Sequence, residues 1–459
     1  MKITDNTGLR AGAAMVDITP DMGIQLAGDI GRYRPTEEIR EKLYARTVVL
    51  ESGGTKVCLL SLDLCAATNY WSDEIRRRAS ERFGFKPEAI MFHVIQNHAS
   101  PSLGHLLVSD ECTLIPPEFP WLRGGDARYN EPTVERTLNA IDQAIQALQP
   151  VTIHVGRGVD GRVAFNRRFV MRDGSVRTHP GRCNPDVLHV EGPADPEVGV
   201  MTFTGAGGAN VAMLLYHTCH PCHGYPHRYV IGDWPGIWAE MMRPYSGEAC
   251  VPFVVNGCCG NIHHNNHLDP HYENDHHRMA RMLSETASGV LERMETQKSS
   301  TLAVERTVVR LPLRILAPDM IDAARRLFDE HPEPKWLDTA KTRVDWDWMY
   351  AVATLDLKEA YDRDPYCDYE IQAFRIGDAA LVTLMGEPFV EAQLKIKLES
   401  PATYTFVAHF CNGYVGYIPT FDAFSRGGYE TRTANWSKLQ PEALETIVGA
   451  ALELLKKLF

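Results

Sequence analysis

Histidines and cysteines crowd one stretch of the chain. Between Val211 and His267 stand His217, His220, His223, His227, His263, His264 and His267, seven of the 18 histidines, together with Cys219, Cys222, Cys258 and Cys259. Imidazoles and thiolates bind metal, and an imidazole gives or takes a proton near neutral pH, so this density points to metal or acid–base chemistry. Two apolar runs bracket the stretch, Val211 to Tyr216 and Val251 to Val255. Both are short and bounded by turn formers, and each predicts a buried strand that ends where a polar loop begins. The ends of such strands are where an α/β sheet places its ligands.

Three more predicted strand ends carry suitable groups. Ala89 to Val94 empties into Gln96, Asn97 and His98; Ala379 to Leu384 runs on to Glu387; Tyr404 to Phe410 opens toward Tyr414 and Tyr417. Imidazole nitrogen, carboxylate oxygen and phenolate oxygen together suit zinc or another divalent Lewis acid with one open position. No H-E-x-x-H or comparable local motif joins these positions. Cys219 and Cys222 form a C-x-x-C pair, but Pro221, Gly224 and Pro226 deny it the helix that a redox pair opens. A structural zinc on Cys219, Cys222, Cys258 and Cys259 is a weaker reading, because adjacent cysteines chelate one ion poorly. His276 and His277 fall in the first turn of a predicted helix and read as solvated.

The elements that must position these groups alternate in type. Strands at Leu43 to Leu50, Val57 to Leu62 and Ala89 to Val94 enclose a helix at Trp71 to Phe83, and a second helix is expected over Pro132 to Leu148. The block from Ala164 to Phe203 is dense in Arg, Gly and Pro and reads as a hairpin around Asp173 and Gly174 within a long ordered loop. Asp233 is expected to cap a helix reaching about Tyr245. Beyond residue 300 come a strand, two helices, two more strands, the Glu387 turn with its helix, a last strand, and a closing amphipathic helix over Pro441 to Leu458. The pattern predicts an α/β fold of mixed sheets layered with helices, read as one catalytic domain over 1–459 with a subdivision near 300.

With 459 residues and a formal net charge of −12, and with no long Lys/Arg run, the chain is not built to hold a phosphate backbone, so nucleic acid is not an expected partner. No apolar segment approaches the roughly 20 residues that cross a bilayer. The N-terminus lacks the pattern of a secretory signal, and an odd cysteine count suits a reducing compartment, so a cytoplasmic location is expected. A small-molecule substrate is the expected partner; oligomeric state is left open, a homo-oligomer included.

Several segments, in order, resemble the catalytic domain of the neutral, non-lysosomal ceramidase family, especially its shorter bacterial relatives of unassigned substrate. They are Ala11 to Pro20 (AGAAMVDITP), Asn97 to Pro101, Asn166-Arg167-Arg168, Tyr216 to Gly236, Asn256 to Asn265, Gly386 to Glu391 and Asn412 to Thr420. The C-terminal immunoglobulin-like domain of full-length ceramidases has no counterpart. The resemblance implies a zinc ion, or another divalent metal, held by two histidines, a glutamate and a tyrosine. His220 matches the second histidine, Glu387 the glutamate and Tyr417 the tyrosine, with Tyr414 the other candidate. Arg167 falls near a family arginine that helps hold substrate. The chain departs from the family at two positions. Gln96 stands where the first zinc histidine is usual, which makes His98 the candidate to complete the shell, and His263 stands where the family has its catalytic serine.

These readings make the chain a metal-dependent hydrolase of an amide, ester or glycoconjugate bond in a small polar substrate. The metal set is His220, Glu387, Tyr417 and His98; His263 serves as general base or acid, and Arg167 anchors an anionic or carbonyl group. Gln96, Asn97, Asp233, Tyr414 and His264 stand beside them as substrate-binding candidates. Proton abstraction by histidine next to a carbonyl, in a lyase or epimerase acting on a sugar or sugar acid, is the alternative; a relative that kept the fold and lost the chemistry is the third.

Overall fold

A computed structural model describes residues 8–247 and 249–459. Its largest sheet is built from β1 (Arg10–Asp17), β2 (Tyr44–Ser52), β3 (Thr55–Leu62), β4 (Ile90–Val94), β5 (Gln149–Val159), β6 (Glu197–Gly205), β7 (Asn210–His217) and β8 (Val251–Asn256). Their order across the sheet is β8-β7-β6-β5-β1-β2-β3-β4, and the two-residue strand Glu295–Thr296 pairs with β5 to make nine. Both outer pairs, β7 with β8 and β3 with β4, run parallel, whereas the interior pairings are antiparallel. A second sheet begins at residue 302 and consists of β9 (Leu302–Pro312), β10 (Tyr366–Ile376), β11 (Ala379–Thr383) and β12 (Tyr404–Ala408), with β11 and β12 parallel.

Period-two alternation divides the side chains between layers. On β6 and β7, Met201, Phe203, Ala212 and Leu214 face the second sheet and meet Phe374, Leu381 and Phe406. Val198, Val200, Met213 and Leu215 face the other way, against Trp234, Trp238, Met279 and Leu283 of helices Asp233–Ser246 and His276–Leu291. The β1–β4 half is covered on that same face by Ile75 and Ala79 of helix Asn69–Phe83 and by Val134, Leu138 and Ile141 of helix Ala127–Gln146. Behind the second sheet, Ile447, Val448, Ala451 and Leu455 of helix Ala443–Leu458 close the far side. The layers therefore run helix, sheet, sheet, helix, and the mixed α/β architecture expected from the pattern is what the chain adopts.

Two strands escape the pattern for one physical reason. β1 contains Gly12 and β6 contains Gly199, residues that weaken a strand reading. Each glycine is where a neighbour comes too close for a side chain: a Cβ on Gly12 would lie 2.1 Å from the Ala144 carbonyl oxygen of the covering helix, and one on Gly199 would lie 2.3 Å from the Phe406 ring. The block expected to be mostly loop thus holds one of the sheet's interior strands. Its hairpin does form, between Arg168–Met171 and Val176–Thr178 with Gly174 in the turn. The second helix starts at Ala127, ahead of Pro132, because the Asp126 carboxylate accepts the Arg128 N–H and caps it there.

The parallel strands β4, β8 and β12 end together, and a buried polar clamp ties their ends. His93 Nδ1 lies 2.7 Å from the His409 carbonyl oxygen and donates to it, while His93 Nε2 accepts the Asn256 N–H at 3.1 Å. The Asn256 amide donates to the carbonyls of Ile95 and Cys219, and its oxygen accepts the Cys219 N–H. This geometry requires a neutral His93, and burial drives its pKa from 6.5 down to about 4. The fold therefore refuses a proton that the unfolded chain accepts, so stability falls as pH drops from about 6.5 toward 4. At pH 5 the loss from His93 is on the order of 2 kcal/mol. Thermal melts between pH 7 and pH 5 check this: His93→Gln should be less stable than wild type at pH 7 yet lose less on acidification.

Candidate functional site

The polar loops that follow β3, β4, β7, β8, β11 and β12 meet above the two sheets. Several leave their strands in the left-handed region that side chains disfavour: Gln96 has φ 67°, Phe410 49° and Asn412 59°. Such conformations cost of order 1–3 kcal/mol each and gather at functional sites. The loops surround a cleft of about 500 Å³ lined by His98, Arg167, His220, His263, His264 and Tyr417, among others.

Glu387 stands at the inner corner of this cleft. It pairs in a two-residue parallel ladder directly with Tyr417, and Tyr414 and Tyr417 line the same pocket as its carboxylate. Gln96 Nε2 donates to Glu387 Oε2 at 2.6 Å, and the Gln96 carbonyl oxygen accepts from the Cys259 thiol at 3.3 Å. Burial raises the Glu387 pKa, with Arg167 and the Gln96 amide opposing. His220 Nε2 lies 3.3 Å from Glu387 Oε2.

The tautomers follow from the other ring nitrogens. His220 Nδ1 donates to the Cys259 carbonyl at 2.6 Å, and His98 Nδ1 donates to the Gly28 carbonyl at 3.0 Å. Each Nε2 therefore carries a lone pair, and both are buried without a hydrogen-bond partner. Burial holds both imidazoles neutral, with pKa values pulled down to about 3; Arg167 adds to the effect at His220, and His220 adds to it at His98. Gly28 makes the His98 contact possible: it has φ 79°, and a Cβ there would lie 2.5 Å from His98 Nδ1. His263 is the opposite tautomer, because its Nδ1 accepts the Asn265 N–H at 3.2 Å, which leaves an N–H at Nε2.

The donor set fits a divalent cation best at His220 and Glu387. Two lone-pair-bearing atoms facing each other at 3.3 Å, one ring held by a backbone carbonyl on its far side, is the arrangement in which metal-ligating histidines are held. Tyr417 and His98 adjoin this pair. Among the described residues, only Glu41, His276 and His277 bring three His, Cys, Asp or Glu ligand atoms within 4.8 Å of one another. That group is partly exposed and lies behind the cleft wall, where the His276 ring sits 5.9 Å from that of His223. His276 is therefore engaged with Glu41, at 3.0 Å, rather than solvated as its helix position suggested.

The chain superposes on the neutral ceramidase from Pseudomonas aeruginosa with a TM-score of 0.74 at 17% identity, covering 98% of this chain and 74% of that one. The fold is that of a ceramidase. A ceramidase complexed with C2 superposes with a TM-score of 0.73 at 16% identity, over 98% of this chain and 75% of the other. No family model and no curated protein matches the sequence.

Within the ceramidase fold, the structure brings His98, Arg167, His220, His263, His264 and Tyr417 to the cleft, and Gln96, Glu387 and Tyr414 to its inner end. Two expected substrate contacts stand elsewhere. Asn97 is buried, donates to the Ile231 carbonyl and accepts the Ala99 N–H, so it shapes its own loop. Asp233 is also fully buried and is the first residue of its helix rather than the cap. Its carboxylate accepts the N–H of His223 and, at 2.6 Å, His223 Nδ1, so it acts on the cleft only through that ring. Burial alone would raise the Asp233 pKa, but His223 holds it well below the carboxylate range.

Arg167 turns out to be a structural hub. Its Nε donates to Glu430 at 2.9 Å and its Nη2 to the Gly260 carbonyl at 2.7 Å, with the guanidinium 5.5 Å from the centre of the Tyr417 ring. Glu430, Tyr429 and His179 also shape the site and carry no sequence signal of it; Glu430 sits in a polar turn, and only the fold shows that Arg167, Arg168 and Thr178 converge on its buried carboxylate. Replacing Arg167 by Met should cost about 3 kcal/mol, since it strips a buried carboxylate of one of its cations. Arg77→Met, in an exposed cluster with Glu74 and Glu81, should cost less than about 1 kcal/mol. Denaturant unfolding of the two variants measures the contrast.

Proposed function

We propose that the chain is a metal-dependent hydrolase that cleaves an amide or ester bond of a polar substrate. The observation that carries this reading is the pair of facing lone pairs on His220 Nε2 and Glu387 Oε2, with His220 held from behind by the Cys259 carbonyl. His220, Glu387 and Tyr417 would hold the ion, with His98 beside them; when bound, a divalent ion such as zinc polarises a carbonyl and makes water acidic enough to deliver hydroxide near neutral pH.

The chain's own residues divide the remaining work. Arg167 acts as a positioning residue, fixed by its Gly260 and Glu430 contacts with its guanidinium against the Tyr417 ring. His263 offers its Nε2–H as a fixed hydrogen-bond donor to the oxygen on which charge develops. His223, whose ring is held through Nδ1 by Asp233, takes the proton of water as general base and passes it to the departing nitrogen or oxygen, by the logic that a buried carboxylate fixes an imidazole's orientation. This moves to His223 the acid–base role that the sequence assigned to His263. The His264 ring stacks on His223 at 3.6 Å between centroids and lies 4.0 Å from that of His263, so the donor and the base share one wall of the cleft.

Elemental analysis of the wild type beside His220→Ala and Glu387→Gln tests the reading. About one divalent ion per chain should be found in the wild type and lost in both variants, with circular dichroism showing that each stays folded. Wild-type and variant proteins with equal metal content would overturn it. In a screen of esters and amides, Asp233→Asn should lower kcat by roughly 10²- to 10⁴-fold, because it unseats the His223 ring. In heavy-oxygen water the acid product should carry the label; an unsaturated product absorbing in the ultraviolet would instead indicate elimination.

A further inference from the structure

The cleft does not stop at Glu387. Past His98 and Tyr417, which line both spaces, a narrower pocket of about 50 Å³ continues between Cys65, Ala66, Leu106, Phe410 and Trp436. Glu387, Gln96 and Asp29 line it as well, so the pocket is polar at the Glu387 end and apolar or aromatic toward Leu106 and Trp436, whereas the outer cleft is walled by imidazoles. Leu106 and Tyr414 line this pocket and also a separate surface groove, so these two side chains form the partition between them. The partition is held in place. Leu106 is only 8% exposed, the Tyr414 ring stacks on Phe410 at 5.2 Å, and the Tyr414 N–H is bound by Asn69 Oδ1 at 2.8 Å.

We propose that this pocket is the acyl subsite of the hydrolase and restricts it to acetyl-sized acyl groups. The inference rests on the hydrolase reading and adds the substrate class to it. The volume, which includes the space beside Glu387, is about a third of the roughly 150 Å³ cavity that admits a benzene, room for a methyl group and no more. A bond broken beside Glu387 puts its acyl carbon at the pocket mouth, with the methyl group inside and the polar remainder of the substrate among the imidazoles. Water supplies the hydroxyl that ends on the acyl carbon and the proton that ends on the departing nitrogen or oxygen, giving acetate and a free amine or alcohol. A longer chain has to displace Leu106 or Tyr414.

The test uses the metal-loaded wild type and 4-nitrophenyl acetate, butanoate and octanoate, with the rate of His220→Ala subtracted from each. The acetate ester should exceed the butanoate in kcat/KM by at least about tenfold, the usual discrimination per methylene in a closed apolar pocket. Leu106→Ala should shift the preference toward butanoate, and Leu106→Phe should suppress turnover of acetate. Rates that stay level or rise with chain length in the wild type overturn the subsite while leaving the hydrolase standing. If no ester exceeds the background, the hydrolase reading fails, and binding decides the subsite by itself. Thermal stabilisation by acetohydroxamate well above that by octanohydroxamate supports it; equal stabilisation, or none by either, overturns it.

Discussion

The structure depends on one buried amide. Asn256, at the end of its strand, reaches the carbonyls of Ile95 and Cys219, accepts the Cys219 N–H, and gives its own N–H to His93, which in turn holds the His409 carbonyl. Strand ends from two sheets are thereby locked together at a place where their backbone polar groups would otherwise be orphaned. An unsatisfied buried group costs about 1–3 kcal/mol, so several such penalties are avoided by one side chain. The loops that carry Gln96, His98, His220, Cys259 and Phe410 all depart from these tied ends. Their relative placement is set by the clamp before any ligand arrives.

That placement explains why the cleft can be walled with imidazoles. His98 and His220 each spend one nitrogen on a backbone carbonyl, and burial keeps both neutral. A charged ring in the same position would repel Arg167 and its neighbours. Neutral rings with a fixed tautomer act as preset acceptors, and His263, with the reverse tautomer, as a preset donor. The chemistry of the wall is decided by which backbone group each ring meets, not by the histidine count.

Much of the fold was legible in the sequence because its strands are short apolar runs and its helices carry regular stripes. Runs such as Val251 to Val255 and stripes such as Leu444, Ile447, Val448 and Ala451 report their own burial. β1 and β6 were not legible, since Gly12 and Gly199 are there for a neighbour that only the folded chain supplies. The site divides in the same way. Strand ends point to the His217 to His223 cluster, to Glu387 and to Tyr414 or Tyr417, the resemblance to ceramidases narrows these to His220, Glu387 and Tyr417, and Glu387 pairs in parallel with Tyr417. Asn97 and Asp233 have the right residue types in the right segments, yet their side chains are consumed by local backbone and by His223. Nothing in a sequence distinguishes a polar side chain facing a cleft from one holding the loop that forms it. Glu430 is the converse case, a carboxylate in an unremarked turn whose importance comes from two arginines at the far side of the chain.

The departure at Gln96 is best understood together with the wall. A neutral amide there donates to Glu387 and accepts from Cys259, so the inner corner stays fully bonded without a histidine at that position. The cleft beyond it keeps unpaired nitrogens on His98, His220 and His264. Two of these nitrogens, on His98 and His220, belong to the proposed metal set, so an ion there would take up lone pairs that burial otherwise leaves unsatisfied at about 1–3 kcal/mol apiece. What presents them is the backbone carbonyl that each ring meets, at Gly28 and Cys259, rather than any single substituted residue.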